Sequence, residues 1–355
     1  MTSRELVIRS LQGERTERVP AGLHGWGLYK FAYAGIISDY TGQDRAWSMH
    51  GRELADVEMR FQDRFQPDYL HLAEAFFESK KKIVNDPRHR ELREAVRRLE
   101  SRRLIDEFLD LVYEDAAALG SQKKFDHLRL LVDRYGEELF IFLETEGPVH
   151  DLLDEDGILG FNTGMLLLAD DPAGLAYLLE GMYSRQLMYV QAVKEHGAHG
   201  YAHSVSYFGA DLVSPDTYRD LLFPLERDFY REVRRMGLAP IMNFWGNVTP
   251  VAALVRDTGA AGLLIDESRK GYVLDVGEIK QALGERMALF GNVSSESTLL
   301  HGSVGDVRRE VVSQIEAAGD RGGFLSCCGP PICFGTPEEN VEALIRSARD
   351  YHRAG

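Results

Sequence analysis

The stretch GGFLSCCGPPICFGTPEEN, residues 322–340, decides the fold. Residues 323–326 read as a short buried strand, an apolar run bounded by turn signals. Beyond the loop, Thr336 suits a helix N-cap, Pro337 the first helical position, and Glu339 the place that completes a capping box. The segment is therefore expected to run strand, loop, helix. The chain's three cysteines, Cys327, Cys328 and Cys333, fall at the strand's end and on that loop. In α/β proteins this end of a strand is where chemistry is usually placed.

The same unit recurs through the chain. Apolar or β-branched runs lie at 18–23, 67–72, 138–144, 200–206, 239–245, 262–266, 287–293 and 323–328. Between them fall stretches with helical periodicity, such as 216–236 and 306–318. Regular alternation predicts a parallel sheet, and eight units predict a closed (β/α)8 barrel of the TIM type. Residues 1–355 are expected to form one domain. Residues 74–137 are longer than one crossover helix requires and rich in Arg, Glu and Leu. They are expected to form a helical insertion, over the barrel mouth or at a dimer contact.

Bulk properties narrow the function. Of 355 residues, 44% are hydrophobic and 27% charged, as in an ordinary globular protein. A formal net charge of −15 opposes nucleic-acid binding, which needs a basic face. Runs such as Lys80-Lys81-Lys82 read as solvated helix faces. No apolar run approaches the roughly 18 residues of a membrane span, and the N-terminus lacks a signal-peptide core. A cytoplasmic, reducing location without structural disulfides is expected.

A barrel would gather the residues at the carboxyl ends of its strands into one mouth. In chain order they are His24, Gly25 and Trp26; His71 and Glu74; Glu144, Glu146 and His150; His203, Ser204, Ser206 and Tyr207. Asn243, Trp245 and Asn247 follow, then Asp266, Glu267 and Arg269, then Asn292 and Ser294, then the cysteines. His203 is expected to point into the mouth. Asp266 and Glu267 are neighbours, so only one of them would enter it. Each residue also has a plain structural alternative: cysteine as a small core residue, asparagine as a tolerant turn residue.

Several motifs together resemble the uroporphyrinogen decarboxylase superfamily, which holds the heme-pathway decarboxylase and cobalamin-dependent methyltransferases. They are RVP (18–20), ETEGP (144–148), LVSPDTYRDLLFP (212–224), MNFWGNVTP (242–250), LFGNVSSES (289–297) and residues 322–344. The resemblance implies the same barrel. It also implies where this chain departs from each branch. The decarboxylase carries paired arginines after its first strand, whereas HGWGLYKFAY (24–33) offers only Lys30, and Cys328 replaces a histidine after the last strand. The thiol-activating methyltransferases hold zinc with a His-x-Cys pair and a late cysteine. Here Cys328 matches the late cysteine, but the pair is replaced by Asn243 and Trp245.

The resemblance therefore leads to a corrinoid-dependent methyltransferase subunit. It would take a methyl group from a small methoxy, methylamine or methylthio donor and pass it to cobalamin on a separate corrinoid protein. His203, Cys328, Glu267, Asn243 and Tyr207 are expected to be catalytic. Zinc is expected on Cys328, His203 and Glu267, with Cys327 or Cys333 in reserve. His24, Trp26, Trp245, Asn292 and Phe334 are expected to bind substrate. The alternatives are a decarboxylase of a smaller or divergent acid, with Asp266, Tyr207 or His203 as proton donor, and a non-catalytic binding protein.

Overall fold

The computed structural model describes residues 1–73, 82–113, 116–269, 271–319 and 322–351. Seven parallel strands follow one another in chain order: β1 (Tyr69–Ala73), β2 (Phe140–Thr145), β3 (Gly200–Val205), β4 (Ala239–Phe244), β5 (Gly262–Ile265), β6 (Ala288–Phe290) and β7 (Phe324–Leu325). Nearly every strand residue is buried, because helices cover the outer face while side chains fill the inner one.

Residues 20–23 close the ring between β7 and β1. The Ser326 N–H donates to the Pro20 carbonyl at 2.8 Å, and the Gly22 N–H donates to the Ser326 carbonyl at 3.0 Å. On the other side, the Asp68 N–H donates to the Ala21 carbonyl at 2.7 Å. This is the eighth wall expected at 18–23. Its pairing stays short because Pro20 has no N–H to give. Asp68 locks the closure: its carboxylate accepts from Arg18 and Ser3 at 2.6 Å and from the Ala21 N–H at 2.9 Å.

The barrel's interior is packed, not hollow. Tyr69, Phe142 and Phe290 contact one another with ring centroids 5.5–6.3 Å apart. Gly22 faces this layer, where a Cβ would lie 2.1 Å from the Tyr69 ring, so no larger residue fits.

Helix α1 (Ser3–Leu11) starts at a Thr2 capping box and packs on β1, β2 and β7. Outside β3 and β4 lie α2 (Pro172–Glu195) and α3 (Phe223–Arg235), packed on each other; α4 (Val304–Ala318) and α5 (Glu338–Arg349) pair in the same way. Between β1 and β2 the described chain forms helices Arg90–Arg97, Arg102–Val112, Ala116–Ser121 and Asp126–Tyr135. Glu74, Lys80 and Lys81 lie outside the described residues. Among the described residues, no helix is long and apolar enough to cross a membrane.

One local expectation is corrected. Helix α5 begins at Glu338 with Pro337 at its N-cap and no side-chain cap. The Thr336 hydroxyl instead donates to the Cys333 carbonyl at 2.9 Å, closing the cysteine loop on itself.

Candidate active site

The floor of the barrel mouth is built on Glu144. This residue is wholly buried at the inner face of β2, between β1 and β3. Its carboxylate accepts three side-chain hydrogen bonds: from His71 Nε2 at 2.5 Å, Ser204 Oγ at 2.6 Å and Asn243 Nδ2 at 2.8 Å. Burial alone would raise its pKa. The hydrogen bond from His71 first, and that from Ser204, hold the carboxyl down at about 2.

The two histidines are oriented by the loop after residue 23. The Gly25 N–H donates to His71 Nδ1 at 3.1 Å. Glycine is required for that approach, since a Cβ at residue 25 would stand 1.7 Å from the His71 carbonyl oxygen. The Trp26 N–H donates to His24 Nδ1 at 3.3 Å. A ring nitrogen that accepts an N–H carries no proton, so Nδ1 is bare in both imidazoles; this assigns the Nε2–H tautomer to His71, whereas His24 Nε2 also faces a donor, Asn243 Nδ2, at 3.4 Å. His71 then donates to Glu144 through Nε2. Burial and the neighbouring His71, whose ring centroid is 4.8 Å away, push His24 down to about 3.

Candidate metal ligands were tested against this geometry. Among the described residues, ligand atoms of His24, His71 and Glu144 lie within 4.8 Å of one another. A metal-bound imidazole offers one nitrogen's lone pair and donates its other N–H to an acceptor. Here the second nitrogen of each ring faces a backbone N–H donor instead. The donor set does not fit a resident metal; it fits two imidazoles gathered beside one hydrogen-bonded carboxylate.

The zinc set expected on Cys328, His203 and Glu267 is not brought together. Successive strand residues face opposite ways, and Ser204 takes the inward position on β3. His203 therefore points outward to the helices, where Nε2 lies 3.0 Å from Glu226 and the ring stacks on Tyr230. Glu267 accepts the Ser295 N–H at 3.0 Å. Cys328 is buried in the wall; hydrogen bonding from Cys327 lowers its thiol pKa against the effect of burial, helped by the His24 backbone and Ser295. Burial pushes Cys327 the other way.

His203 thus belongs to the wall, and its removal strands a buried carboxylate. His203→Ala is expected to lower unfolding free energy by about 3 kcal/mol in urea titrations. Unchanged stability would contradict that assignment.

Two expected substrate contacts also move. Asn292 Nδ2 donates to the carbonyls of Asp266 and Leu274 at 3.1 and 3.3 Å, tying a loop down. Phe334 packs on Tyr40 with centroids 5.3 Å apart, beside a small cluster around Leu28 and Phe31. By contrast, Asn243, Tyr207, His24, Trp26 and Trp245 lie at the floor or mouth. His24 and Trp245 touch with ring centroids 5.9 Å apart.

Above the floor opens a cavity of about 560 Å³, reached from Ser204 and walled by Trp26, Trp47, Trp245 and Tyr207 with Glu146, Asp211 and Asp266. Tyr207 sits at φ +66°, a left-handed conformation rare for a bulky residue, and its hydroxyl donates to Asp154 at 3.3 Å. Trp47 and Asp211 were not singled out from the sequence. Trp47 ends a short polar helix and Asp211 sits in a loop, so neither stands at a strand end where a periodic pattern would mark it.

A model of the uroporphyrinogen decarboxylase family matches residues 125–351. Methylcobamide:CoM methyltransferase MtaA of Methanosarcina barkeri is 27% identical over 225 residues, 63% of this chain and 62% of that protein. MtbA of Methanosarcina mazei, also named a methylcobamide:CoM methyltransferase, is 23% identical over 228 residues, with the same coverage. A uroporphyrinogen decarboxylase of Crocosphaera subtropica is 26% identical over 141 residues, 39% of this chain and 38% of that one. The chain spans less than two thirds of the length of these relatives. A solved methyltransferase from Methanosarcina mazei shares the fold, with a TM-score of 0.75 at 20% identity over 98% of both chains.

Proposed function

This chain belongs to the uroporphyrinogen decarboxylase family, and on that premise we propose that it is a corrinoid-dependent methyltransferase subunit. It takes a methyl group from a small methylated donor seated in the barrel mouth and passes it to cobalamin carried by a separate corrinoid protein. The single observation that carries this reading over decarboxylation is the charge of the mouth. Glu146, Asp211 and Asp266 outnumber one guanidinium, Arg269, which donates to Asp266 at 2.8 and 2.9 Å. Lys30 is buried, donates to the Gly25 carbonyl at 2.7 Å and is ion-paired with Glu58. A tetrapyrrole bearing many carboxylates would be repelled.

Trp26, Trp245 and Tyr207 hold the donor in this reading. Asn243 and His24 form the polar floor, and Cys328 positions the His24 loop from the wall. The relatives are named for methyl transfer between methylcobamide and CoM. Asn243 and Trp245 stand where the resemblance places thiol-activating ligands, which puts this chain on the donor side of a corrinoid protein. Anaerobic assay of cob(I)alamin methylation, with methoxy, methylamine and methylthio donors, tests the reading. Failure with all three classes, together with failure to bind a corrinoid protein, rejects it.

Zinc has no part in the reading, because Nδ1 of both His24 and His71 faces a backbone N–H donor, where a metal-bound imidazole would need an acceptor. Elemental analysis of dialysed protein should find zinc far below one ion per chain. Stoichiometric zinc retained through dialysis would reverse this conclusion.

A further inference from the structure

All three tryptophans of the chain line the mouth cavity, although they come from distant positions: Trp26, Trp47 and Trp245. Each is only partly buried, so ring surface is left for a ligand. Carboxylates stand among the rings. His150 lies between Glu146 and Asp154, at 3.3 and 3.9 Å. Even with His150 counted as charged, Glu146, Asp154, Asp211 and Asp266 exceed the cations His150 and Arg269 by two.

Resting on the methyltransferase reading, we propose that the donor is a methylated onium compound, a quaternary ammonium above all, held by cation–π contact with the tryptophans and by the surrounding carboxylates. Aromatic faces attract a cation through their quadrupole, and the attraction grows when water is excluded. Methyl groups on the nitrogen spread the charge over an apolar surface that indole rings can cover. A neutral aromatic ether would fill the same volume but leave the carboxylates without a counter-charge.

The chemistry of the leaving group agrees. Attack by the partner's cob(I)alamin uses its electron pair to form the new bond to carbon. The C–N bond breaks with its pair remaining on nitrogen, and a neutral amine departs. No proton is consumed. A methyl ether instead expels an alkoxide, which needs an acid at the oxygen. Tyr207 and His24 are poor acids: Tyr207 is pushed up to about 12, by burial first, and burial pushes His24 down to about 3. A donor that is already cationic suits these walls.

Because every tryptophan lies in the cavity, intrinsic fluorescence reports on this site. Titration with choline and with its uncharged isostere, in which a quaternary carbon replaces the nitrogen, compares two ligands of one shape. Choline should quench saturably and bind at least tenfold tighter than the isostere. Trp47→Leu, on a partly exposed helix, and Asp211→Asn should each weaken choline several-fold. Equal affinity for the two ligands, or no saturable response to either, overturns the proposal. Methyl transfer to cob(I)alamin from an ether but from no quaternary ammonium also overturns it, while sparing the methyltransferase reading. Tight choline binding with no methyl transfer from any donor rejects the methyltransferase reading and the donor role with it, and leaves an onium-binding cavity.

Discussion

Replacing Glu144 by alanine is expected to remove about 3–5 kcal/mol of stability, the cost of stranding partners around a deleted buried charge. Three donors lose their acceptor at once: His71 Nε2, Ser204 Oγ and Asn243 Nδ2. Each orphaned buried donor costs roughly 1–3 kcal/mol, and the three are not additive because they share one partner. The Ser204 hydroxyl can rotate to another acceptor, but the imidazole and the amide cannot. Glu144→Gln keeps the shape and one acceptor oxygen while presenting an amide NH2 to donors, so it should cost less than alanine but more than a surface change. Urea unfolding with an unchanged slope is the measurement. An alanine variant within about 1 kcal/mol of the parent would mean the floor is not a shared-acceptor cluster.

Acid should begin to destabilise the protein well above the range where carboxylates titrate. His24 and His127 are fully buried, and burial first of all pushes both down to about 3. In the unfolded chain each returns to about 6.5. Between those values the unfolded state binds the extra protons, so the stabilisation from keeping these rings neutral is complete above about pH 6.5 and is lost as pH falls toward 3. Two such groups give a slope of roughly 3 kcal/mol per pH unit near pH 5. By pH 4 roughly 7 kcal/mol is lost in this way, against a total stability of about 5–15 kcal/mol. Glu144 adds its loss lower, from its unfolded value near 4.3 down through about 2. His127→Leu should take roughly 1.4 kcal/mol per pH unit off the slope, to which His199, pushed down to about 4 by burial, also contributes. Constant stability between pH 7 and 5 would contradict the buried neutral rings.

The strand pattern carries the fold almost completely. Seven of the eight expected runs overlap the seven strands, β1 and β2 each ending one residue beyond its run, and the eighth, at 18–23, is the segment that closes the ring. Apolar runs of five or six residues cannot satisfy both their faces except in a covered parallel sheet, so their spacing suffices. The site is half legible. Strand ends name His24, His71, Glu144, Ser204, Asn243 and Trp245, and those residues meet.

What strand ends do not give is the face. In YAHSVS (201–206), His203 shares its side with Tyr201 and Val205, both packed outward, while Ala202 and Ser204 share the inner side. That alternation was readable, but a histidine at a strand end draws attention to itself. The partner that holds it, Glu226, lies on α3 and depends on helix packing that no local pattern records. Tautomers are further still from the sequence. They depend on two backbone N–H groups in a loop whose path is fixed by the space at Gly25.

Nitrogen-15 NMR of histidine-labelled protein at neutral pH reads the floor of the mouth most directly. The resonances of His24 and His71, identified by substitution, should show Nδ1 unprotonated in both rings, and excess zinc should leave them unmoved. A proton on Nδ1 of either ring, or a zinc-induced shift of both, would show a metal-binding floor and contradict the chemistry described here.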